Sequence, residues 1–258
     1  MTRIHPTAMV HPGAELSSEV EIGPYCYVGE HVRIEAGTRV GDHARVEGWT
    51  HIGEGCQLYP FAVVGAAPQD LKYRGEPTEL SVGPRNVFRE FCTIHRGTVP
   101  GGGRTLIGSD NVFMAYSHVA HDCRIGNHVI LANAATLAGH IEIQDHAIIG
   151  GLVAIHQYVR VGAYAMVGGF SGIAQDVPPY TLASGSRAKL YGVNVVGLKR
   201  HGFPKETIQA LRRAYRILFR SSLVLQAAVE KVRQELPSLA EIENLIRFVQ
   251  ESKRGICR

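Results

Sequence analysis

The chain has 258 residues, of which 45% are hydrophobic and 19% charged; this composition suits a folded protein with a sizeable core and excludes a largely disordered chain. The N-terminal residues MTRIHPTAMV lack the apolar core of a signal peptide, and no apolar stretch of about 18 residues follows them. The five cysteines are widely spaced without a CxxC pair, which argues against a disulfide framework or a zinc knuckle. We therefore expect a cytoplasmic protein with reduced cysteines and no membrane span.

The net charge of +4 is unevenly distributed. Residues 1–186 carry 12 basic and 17 acidic residues, and residues 187–258 carry 15 and 6, so the two parts have net charges of −5 and +9. This asymmetry indicates a change of architecture near residue 187 and an acidic partner for the C-terminal part.

From the N-terminus onward, an apolar residue recurs at every sixth position. The first run is Ile4, Val10, Leu16, Ile22, Val28, Ile34, Val40, Val46, Ile52, Leu58 and Val64. After an interruption it continues at Val82, Phe88 and Ile94, and then at Ile107, Phe113, Val119, Ile125, Leu131, Leu137, Ile143, Ile149, Ile155, Val161, Val167 and Ile173. A period of six fits neither an α-helix nor an alternating strand, but it is the signature of a hexapeptide solenoid.

The predicted fold is mainly β, a parallel β-helix of hexapeptide repeats over residues 1–186 with a small C-terminal α-helical domain over residues 187–258. Known hexapeptide solenoids put three units into a triangular coil of 18 residues, so residues 18 apart should lie above one another. Resemblance to these solenoids also implies a left-handed coil, although β crossovers in general favour the right hand.

Both interruptions of the period predict loops. Between Val64 and Val82 the phase survives, but the segment GAAPQDLKYRGEPTELS lacks aliphatic residues at the expected positions, which indicates that one coil's worth of chain leaves the wall at 65–81. Between Ile94 and Ile107 the spacing is 13, and PGGGRTL predicts a second, glycine-rich loop at 100–106. Loops on a rigid scaffold are common places for binding residues.

After VPPY the period stops, and from Pro204 the apolar spacing becomes helical. The first predicted helix has an arginine stripe on its polar face, and two more are predicted at residues 223–236 and 238–252. We expect this helical domain to cap the end of the coil against edge pairing.

Polar residues form a ladder on one face of the predicted coil. The units that begin at Val119, Leu137 and Ile155 are 18 residues apart, and their stacked polar members are His121, His140, His156 and Gln157. His118 lies at the bend before His121, and His95 lies beside the glycine-rich loop. We expect the chain's histidines outside this ladder to be ordinary surface residues.

Motifs along the whole chain resemble one family. The segments QDLKYRGEPT, TIHRGT, HVAHDC, LAGH, IHQ, QDVPPY and GLKRHGF are similar to those of the acyl-carrier-protein-dependent UDP-N-acetylglucosamine O-acyltransferases of lipid A biosynthesis. The resemblance implies transfer of a 3-hydroxyacyl group from acyl carrier protein to the glucosamine 3-hydroxyl of UDP-N-acetylglucosamine, with no cofactor and no metal.

The resemblance also implies roles for single residues. His121 is the expected general base, the backbone N–H of Gly139 the expected oxyanion donor, and Asp122 a possible orienting group for the imidazole. Adjacent residues of a strand point to opposite sides, which argues against the role of Asp122. The expected substrate contacts are Asp70, Lys72, His95, His118, His140, His156, Gln157, Asn194 and Arg200.

Three further expectations come from the same resemblance. Gly169 occupies the position that limits acyl-chain length, and because a glycine leaves the groove open, a longer chain such as tetradecanoyl is expected over decanoyl. The family forms homotrimers with sites between neighbouring solenoids. The residues expected to receive the acidic carrier protein are Lys199, Arg212, Arg213, Arg216 and Arg220.

Two features depart from the family pattern. Val196 stands where relatives often have glutamate, and Ser186 and Arg187 replace the usual asparagine-containing turn. Nucleotide affinity is therefore expected to differ, whereas the reaction class is not.

Other functions were weighed against this one. Nucleic acid is a rival for the arginines, but no recognition motif accompanies them. A zinc site of the γ-carbonic anhydrase type could use His118, His121 and His140. A later N-acyltransferase of the pathway would need an added N-terminal domain, a purely structural solenoid would not need the polar ladder, and acetyl-CoA-dependent acetyltransferases share the hexads but lack these motifs.

Overall fold

The structure is a computed structural model that describes residues 1–258. Its 28 short strands form three sheets, here called faces A, B and C. Successive strands pass from face A to B to C and back to A, and in the regular coils Val119 lies beside Leu137 and Leu137 beside Ile155. The fold is thus the left-handed parallel β-helix that the hexads predict.

Face A contains β1 (Arg3–Ile4), β4 (Glu21–Ile22), β7 (Arg39–Val40), β10 (Gln57–Leu58), β13 (Val87–Phe88), β16 (Val112–Phe113), β19 (Ile130–Leu131), β22 (Ile148–Ile149), β25 (Met166–Val167), β27 (Thr181–Ser184) and β28 (Lys189–Val193). Face B contains β2 (Met9–Val10), β5 (Tyr27–Val28), β8 (Arg45–Val46), β11 (Val63–Ala66), β14 (Thr93–His95), β17 (His118–Val119), β20 (Thr136–Leu137), β23 (Ala154–Ile155) and β26 (Gly172–Ile173). Face C contains β3 (Glu15–Leu16), β6 (Val32–Ile34), β9 (Trp49–Ile52), β12 (Glu79–Val82), β15 (Arg104–Ile107), β18 (Arg124–Ile125), β21 (Glu142–Ile143) and β24 (Arg160–Val161).

The hexad residues form the interior of the coil. From Ile22 to Ile173 every one of them is buried, and Phe88 and Phe113 stack inside with ring centroids 4.9 Å apart. At the N-terminal end Ile4 is 48% exposed, because no coil lies below it. Burial of one apolar residue per face and coil, repeated along the axis, therefore stabilises the solenoid through neighbouring coils.

Three corners join the faces, and each is a tight turn. The AB corner carries Tyr25 and Phe61, the BC corner carries Asp122 and His140, and the CA corner carries His146; all five have positive φ angles. A side chain in this left-handed conformation points out of the wall at the bend instead of alternating as it would in a strand.

The two predicted loops both leave the wall at the BC corner, with bounds different from the predicted ones. The first spans residues 67–78, and because Ile52 lies directly beside Val82, it adds 12 residues and not a full coil. The second spans 96–103 and includes a short 3₁₀ helix at Val99–Gly101; residues 104–106, predicted as loop, belong to β15. Excess chain can leave a solenoid at a corner without breaking the strand pairing on any face.

The C-terminal part begins with β structure, so the predicted boundary at 187 falls inside the antiparallel β27–β28 hairpin. The helices are α1 (Val195–Arg200), α2 (Lys205–Arg220), α3 (Leu225–Glu235) and α4 (Ala240–Gln250), and they share a second core of 15 buried residues. The predicted cap is formed by more than helices: the hairpin continues face A, and Asp176 pairs with Ile256 of the C-terminal segment. None of the helices is long and apolar enough to cross a membrane.

Candidate active site

The BC corner holds a compact cluster of His121, Asp122 and His140. The His121 and His140 rings meet edge to face with centroids 5.1 Å apart, and His140 Nε2 lies 3.8 Å from Asp122 Oδ2. Tyr158, one coil further on, stacks on His140 at 4.5 Å; sequence analysis assigned it no role. These residues come from successive coils, as the 18-residue repeat predicts.

His121 and Asp122 are neighbours in sequence and partners in space. His121 Nδ1 lies 2.8 Å from Asp122 Oδ2. The argument that adjacent residues point apart does not hold here, because both lie in the turn and Asp122 has a φ of 60°. The carboxylate accepts the Nδ1 proton, which leaves His121 Nε2 with its lone pair free to accept another.

Asp122 is held from several directions. Its two carboxylate oxygens accept hydrogen bonds from the Thr98 backbone N–H at 2.9 Å and the Thr98 hydroxyl at 2.6 Å, and its own N–H donates to Thr105 Oγ1 at 2.8 Å. Burial raises the pKa of Asp122, but the bonds from His121 and Thr98 outweigh it, so the net pKa lies below the ordinary value. Thr98 is a functional candidate that sequence analysis missed, although TIHRGT contains it.

Gly139 lies against the His121 ring. A Cβ atom at this position would be 2.5 Å from His121 Cε1 and 2.7 Å from Nε2, so only glycine leaves room for the imidazole. The N–H of Gly139 donates to no backbone or side-chain acceptor of the chain. An unpaired donor beside a proton-accepting nitrogen is the arrangement that acyl transfer requires.

Two further histidines continue the site along face B. His95 and His118 contact edge to face at 4.9 Å, and His118 Nδ1 lies 2.7 Å from Thr93 Oγ1. Burial and the nearby His118 lower the pKa of His95 to about 4, and burial likewise lowers the pKa of His118 and of His140. All three imidazoles are therefore neutral near pH 7 and act as polar, uncharged contacts.

The low pKa of His95 predicts an acid-sensitive fold. Because the unfolded chain binds this proton at a pKa of about 6.5, stability is fully present above that pH and decreases as the pH falls toward 4. Between pH 7 and pH 5 His95 should cost about 2 kcal/mol of unfolding free energy. Urea unfolding at both pH values, at one protein concentration, should show this loss in wild type and its absence in His95→Gln; an equal loss in both proteins, with exposed His5→Gln as the control, would contradict the assignment.

The remaining predicted contacts of the ladder lie around this cluster. His156 and Gln157 are exposed at the BC corner, just before Tyr158. Asp70 and Lys72 lie in the 67–78 loop, where the Lys72 N–H donates to Asp70 Oδ1 at 2.9 Å, and Asp70 is close enough to raise the pKa of His140 against the effect of burial. The loop therefore extends over the histidine cluster.

Asn194 and Arg200 do not join the cluster within one chain. Asn194 caps α1 through Gly197 N–H at 3.1 Å and donates to the Tyr164 carbonyl at 3.0 Å, which places it at the CA corner, and α1 ends with Arg200. Its side chain thus has a structural role that the sequence did not predict. Val196, at the position of the expected carboxylate, is 61% exposed.

Gly169 lies at a third place, the AB corner, one coil beyond Gly151. From there face B leads back to the cluster: above His118 lie Thr136, Ala154 and Gly172. These small residues leave an open alley that spans three strand spacings, about 14 Å.

The basic residues of α2 are not equivalent. Arg220 donates to the Leu190 carbonyl at 2.6 Å and to the Tyr215 hydroxyl at 3.1 Å, and Arg213 lies 3.7 Å from Glu235. Arg212 and Arg216 are exposed and form no ion pair, as is Lys199 at the end of α1. The prediction of Arg220 as a docking residue is therefore wrong in its simplest form, because its guanidinium is engaged in the fold.

His121, Asp122 and His140 could each offer a ligand atom to a metal ion, since these atoms lie within 4.8 Å of one another. This set replaces the His118, His121 and His140 set of the zinc hypothesis. Asp122, however, already accepts bonds from Thr98 and His121 through its oxygens. An ion would have to displace these donors, so the donor set fits a hydrogen-bonded base better than a zinc site.

Comparisons with known proteins agree with this site. A family model described as Udp N-acetylglucosamine O-acyltransferase; Domain 2 matches residues 176–257, and one described as Bacterial transferase hexapeptide (six repeats) matches residues 104–139. Over the full length of both chains, the sequence is 58% identical to the acyl-acyl-carrier-protein–UDP-N-acetylglucosamine O-acyltransferase of Thermodesulfovibrio yellowstonii and 49% identical to that of Halorhodospira halophila.

Solved structures show the same fold. LpxA from Acinetobacter baumannii superposes with a TM-score of 0.96 at 46% identity and covers 99% of each chain. The UDP-N-acetylglucosamine acyltransferase of Arabidopsis gives 0.87 at 36% identity, with 99% of this chain and 100% of that one covered. Because identity and fold extend over the whole length of these proteins, the chain belongs to the acyl-acyl-carrier-protein–UDP-N-acetylglucosamine O-acyltransferase family and is an acyltransferase.

Proposed function

We propose that the protein transfers a 3-hydroxyacyl group from the thioester of acyl carrier protein to the glucosamine 3-hydroxyl of UDP-N-acetylglucosamine, the first step of lipid A biosynthesis. The observation that carries this proposal is the His121–Asp122 pair packed against the free N–H of Gly139. The names of the relatives supply the substrates, and the site supplies a base and an oxyanion donor at one corner.

In the proposed mechanism His121 is the general base. Its Nε2 takes the proton of the sugar 3-hydroxyl as the oxygen attacks the thioester carbonyl, and the carbonyl oxygen becomes an oxyanion. The N–H of Gly139 donates to this oxyanion, while Asp122 stabilises the imidazolium. When the C–S bond breaks, the ester remains on the sugar and the imidazolium returns its proton to the departing thiolate.

The test uses purified protein with UDP-N-acetylglucosamine and 3-hydroxyacyl carrier proteins of several lengths, with the acylated nucleotide sugar followed by mass spectrometry. Product formed by metal-free protein supports the proposal. Folded protein that forms no product, or forms it only with stoichiometric zinc, would instead favour the zinc hypothesis or a structural role.

The placement of the predicted contacts supports a site shared between chains. His121 lies at the BC corner, whereas Asn194 and the end of α1 with Arg200 lie at the CA corner. A single nucleotide sugar can meet both sets if a second copy of the chain brings its CA corner to this BC corner, as in the homotrimer that the family resemblance implies. Light scattering that gives a monomeric mass for active protein would contradict this arrangement.

Acyl carrier protein is the partner we propose for the basic surface of Lys199, Arg212 and Arg216. These cations have no carboxylate partner in the chain and can attract an acidic protein. The value of kcat/KM for acyl carrier protein should therefore fall with rising salt. The chain's five cysteines are all buried and free, which suits the reducing cytoplasm where we propose that the enzyme acts.

Acyl length is expected to depend on Gly169. A side chain there would enter the open alley of face B, so Gly169→Met should lower kcat/KM for a tetradecanoyl donor at least about 10-fold relative to a decanoyl donor. Competition between the two donors, read by mass spectrometry, measures the ratio. Leu152→Met, which nearly keeps the volume one coil earlier on the same corner, is the control, and an unchanged ratio in Gly169→Met would refute the ruler.

A further inference from the structure

Arg96 is a buried cation without a counter-ion. It is 7% exposed and forms no ion pair with any carboxylate of the chain. A charge placed in the interior in this way is costly, so its hydrogen bonds must serve the structure or the function. It lies in the TIHRGT motif next to His95, and neither the fold nor the proposed mechanism has so far used it.

The chain forms a slot for this guanidinium. At Gly48 and Gly65, both with positive φ, a Cβ atom would collide with Arg96 and with Thr50, respectively. Gly65 is also the site of a register shift between β11 and β14, and its carbonyl accepts a hydrogen bond from Arg96 Nη1. The ring of Trp49 lies 5.8 Å from the guanidinium carbon and lines the slot on another side.

The other end of the guanidinium holds the 67–78 loop. Arg96 Nη2 donates to the Tyr73 hydroxyl at 2.9 Å, and that hydroxyl donates to the Glu76 carbonyl at 2.7 Å. The Tyr73 N–H donates to the Asp70 carbonyl at 3.0 Å, which closes the turn that carries Asp70 and Lys72. All other hydrogen bonds of residues 67–78 stay within the loop, so the Arg96–Tyr73 bond is the only one that joins it to the wall.

We propose that Arg96 is a positioning residue that, through Tyr73, holds Asp70 and Lys72 over the histidine cluster and so sets the affinity for the acceptor sugar. This inference rests on the proposed function, because it takes Asp70 and Lys72 as contacts of UDP-N-acetylglucosamine. Arg96 itself does not reach the substrate. Its contribution is the fraction of molecules in which the loop is docked before the sugar binds.

The sharpest test is Tyr73→Phe, which removes one hydroxyl and leaves Arg96 and its bond to Gly65 in place. Loss of a charge-assisted hydrogen bond should lower the docked fraction and raise KM for UDP-N-acetylglucosamine about 10-fold, with kcat at saturation within about 2-fold. Tyr27→Phe is the matched control, because Tyr27 also lies under an arginine, Arg45, at 4.5 Å, but its hydroxyl forms no hydrogen bond in the chain.

A double-mutant cycle separates positioning from a general structural effect. If Tyr73 acts through the loop, Tyr73→Phe should cost little further affinity in a Lys72→Ala background. Additive effects of the two substitutions, or a KM that Tyr73→Phe leaves unchanged, would overturn the proposal.

A second readout does not depend on activity. Lys72 and Arg74 are exposed trypsin sites within the loop, and cleavage there tracks the population of the open loop when opening is fast. Tyr73→Phe should raise the cleavage rate after these residues about 10-fold, with cleavage after Lys253 as an internal reference. Unchanged loop cleavage would refute the role of Arg96 even if the enzyme is active, whereas an inactive wild type with the expected change in cleavage would refute only the proposed function.

Discussion

Replacement of His121 by alanine should lower kcat by about 10² to 10⁴-fold, because the sugar hydroxyl then has no general base. The residue that orients the base should matter as well. Asp122→Asn keeps the size of the side chain but can no longer stabilise the imidazolium, and it disturbs the bonds from Thr98. Single-turnover measurements at saturating UDP-N-acetylglucosamine should assign both losses to the chemical step and not to binding.

The control for these variants is His43→Ala. His43 is an exposed histidine of the AB corner, stacked between Tyr25 and Phe61 and outside the proposed site. It should retain wild-type kcat. A His121→Ala enzyme that retains more than about a tenth of wild-type kcat would remove His121 from the role of base and direct attention to His140, the next imidazole of the cluster.

Substitution of Gly139 by alanine should be nearly as damaging, with a loss in kcat of about 10²-fold or more, because the mechanism depends on placement of the base within fractions of an ångström. The added methyl group would lie 2.5 Å from His121 Cε1 and 3.0 Å from Nδ1, and the ring cannot move aside without breaking its bond to Asp122. The prediction is steric, and it is separate from the role of the Gly139 N–H.

Non-additivity provides the check. In a His121→Ala background the space beside Gly139 is vacant, so Gly139→Ala should then have little further effect on the residual rate. Gly29→Ala, where the nearest atom to the new methyl would be 3.4 Å away, is the matched control and should behave as wild type. A Gly139→Ala enzyme with normal kcat would mean that the imidazole does not act from the position it has in the structure.

The site itself could be predicted from the sequence only in part. The 18-residue repeat correctly relates His121 to Gly139 and places His140 beside them, because stacking distance in a solenoid depends only on position along the chain. The partnership of His121 with Asp122 could not be read in this way. It depends on the positive φ of Asp122 and on Thr98, which reaches the carboxylate from a loop whose path the hexad period does not determine.

The sequence by itself determined the architecture: aliphatic residues at every sixth position can be buried together only in a coiled wall, and the loss of that period after residue 173 marks its end. It also indicated where chain leaves the wall. Only the tertiary structure decided that both loops leave at the corner that carries His121, that Asn194 lies at a different corner, and that Arg220 is bound to Leu190. These relations join residues far apart in sequence through turns and loops, where conformation follows from packing against the whole fold and not from a local pattern.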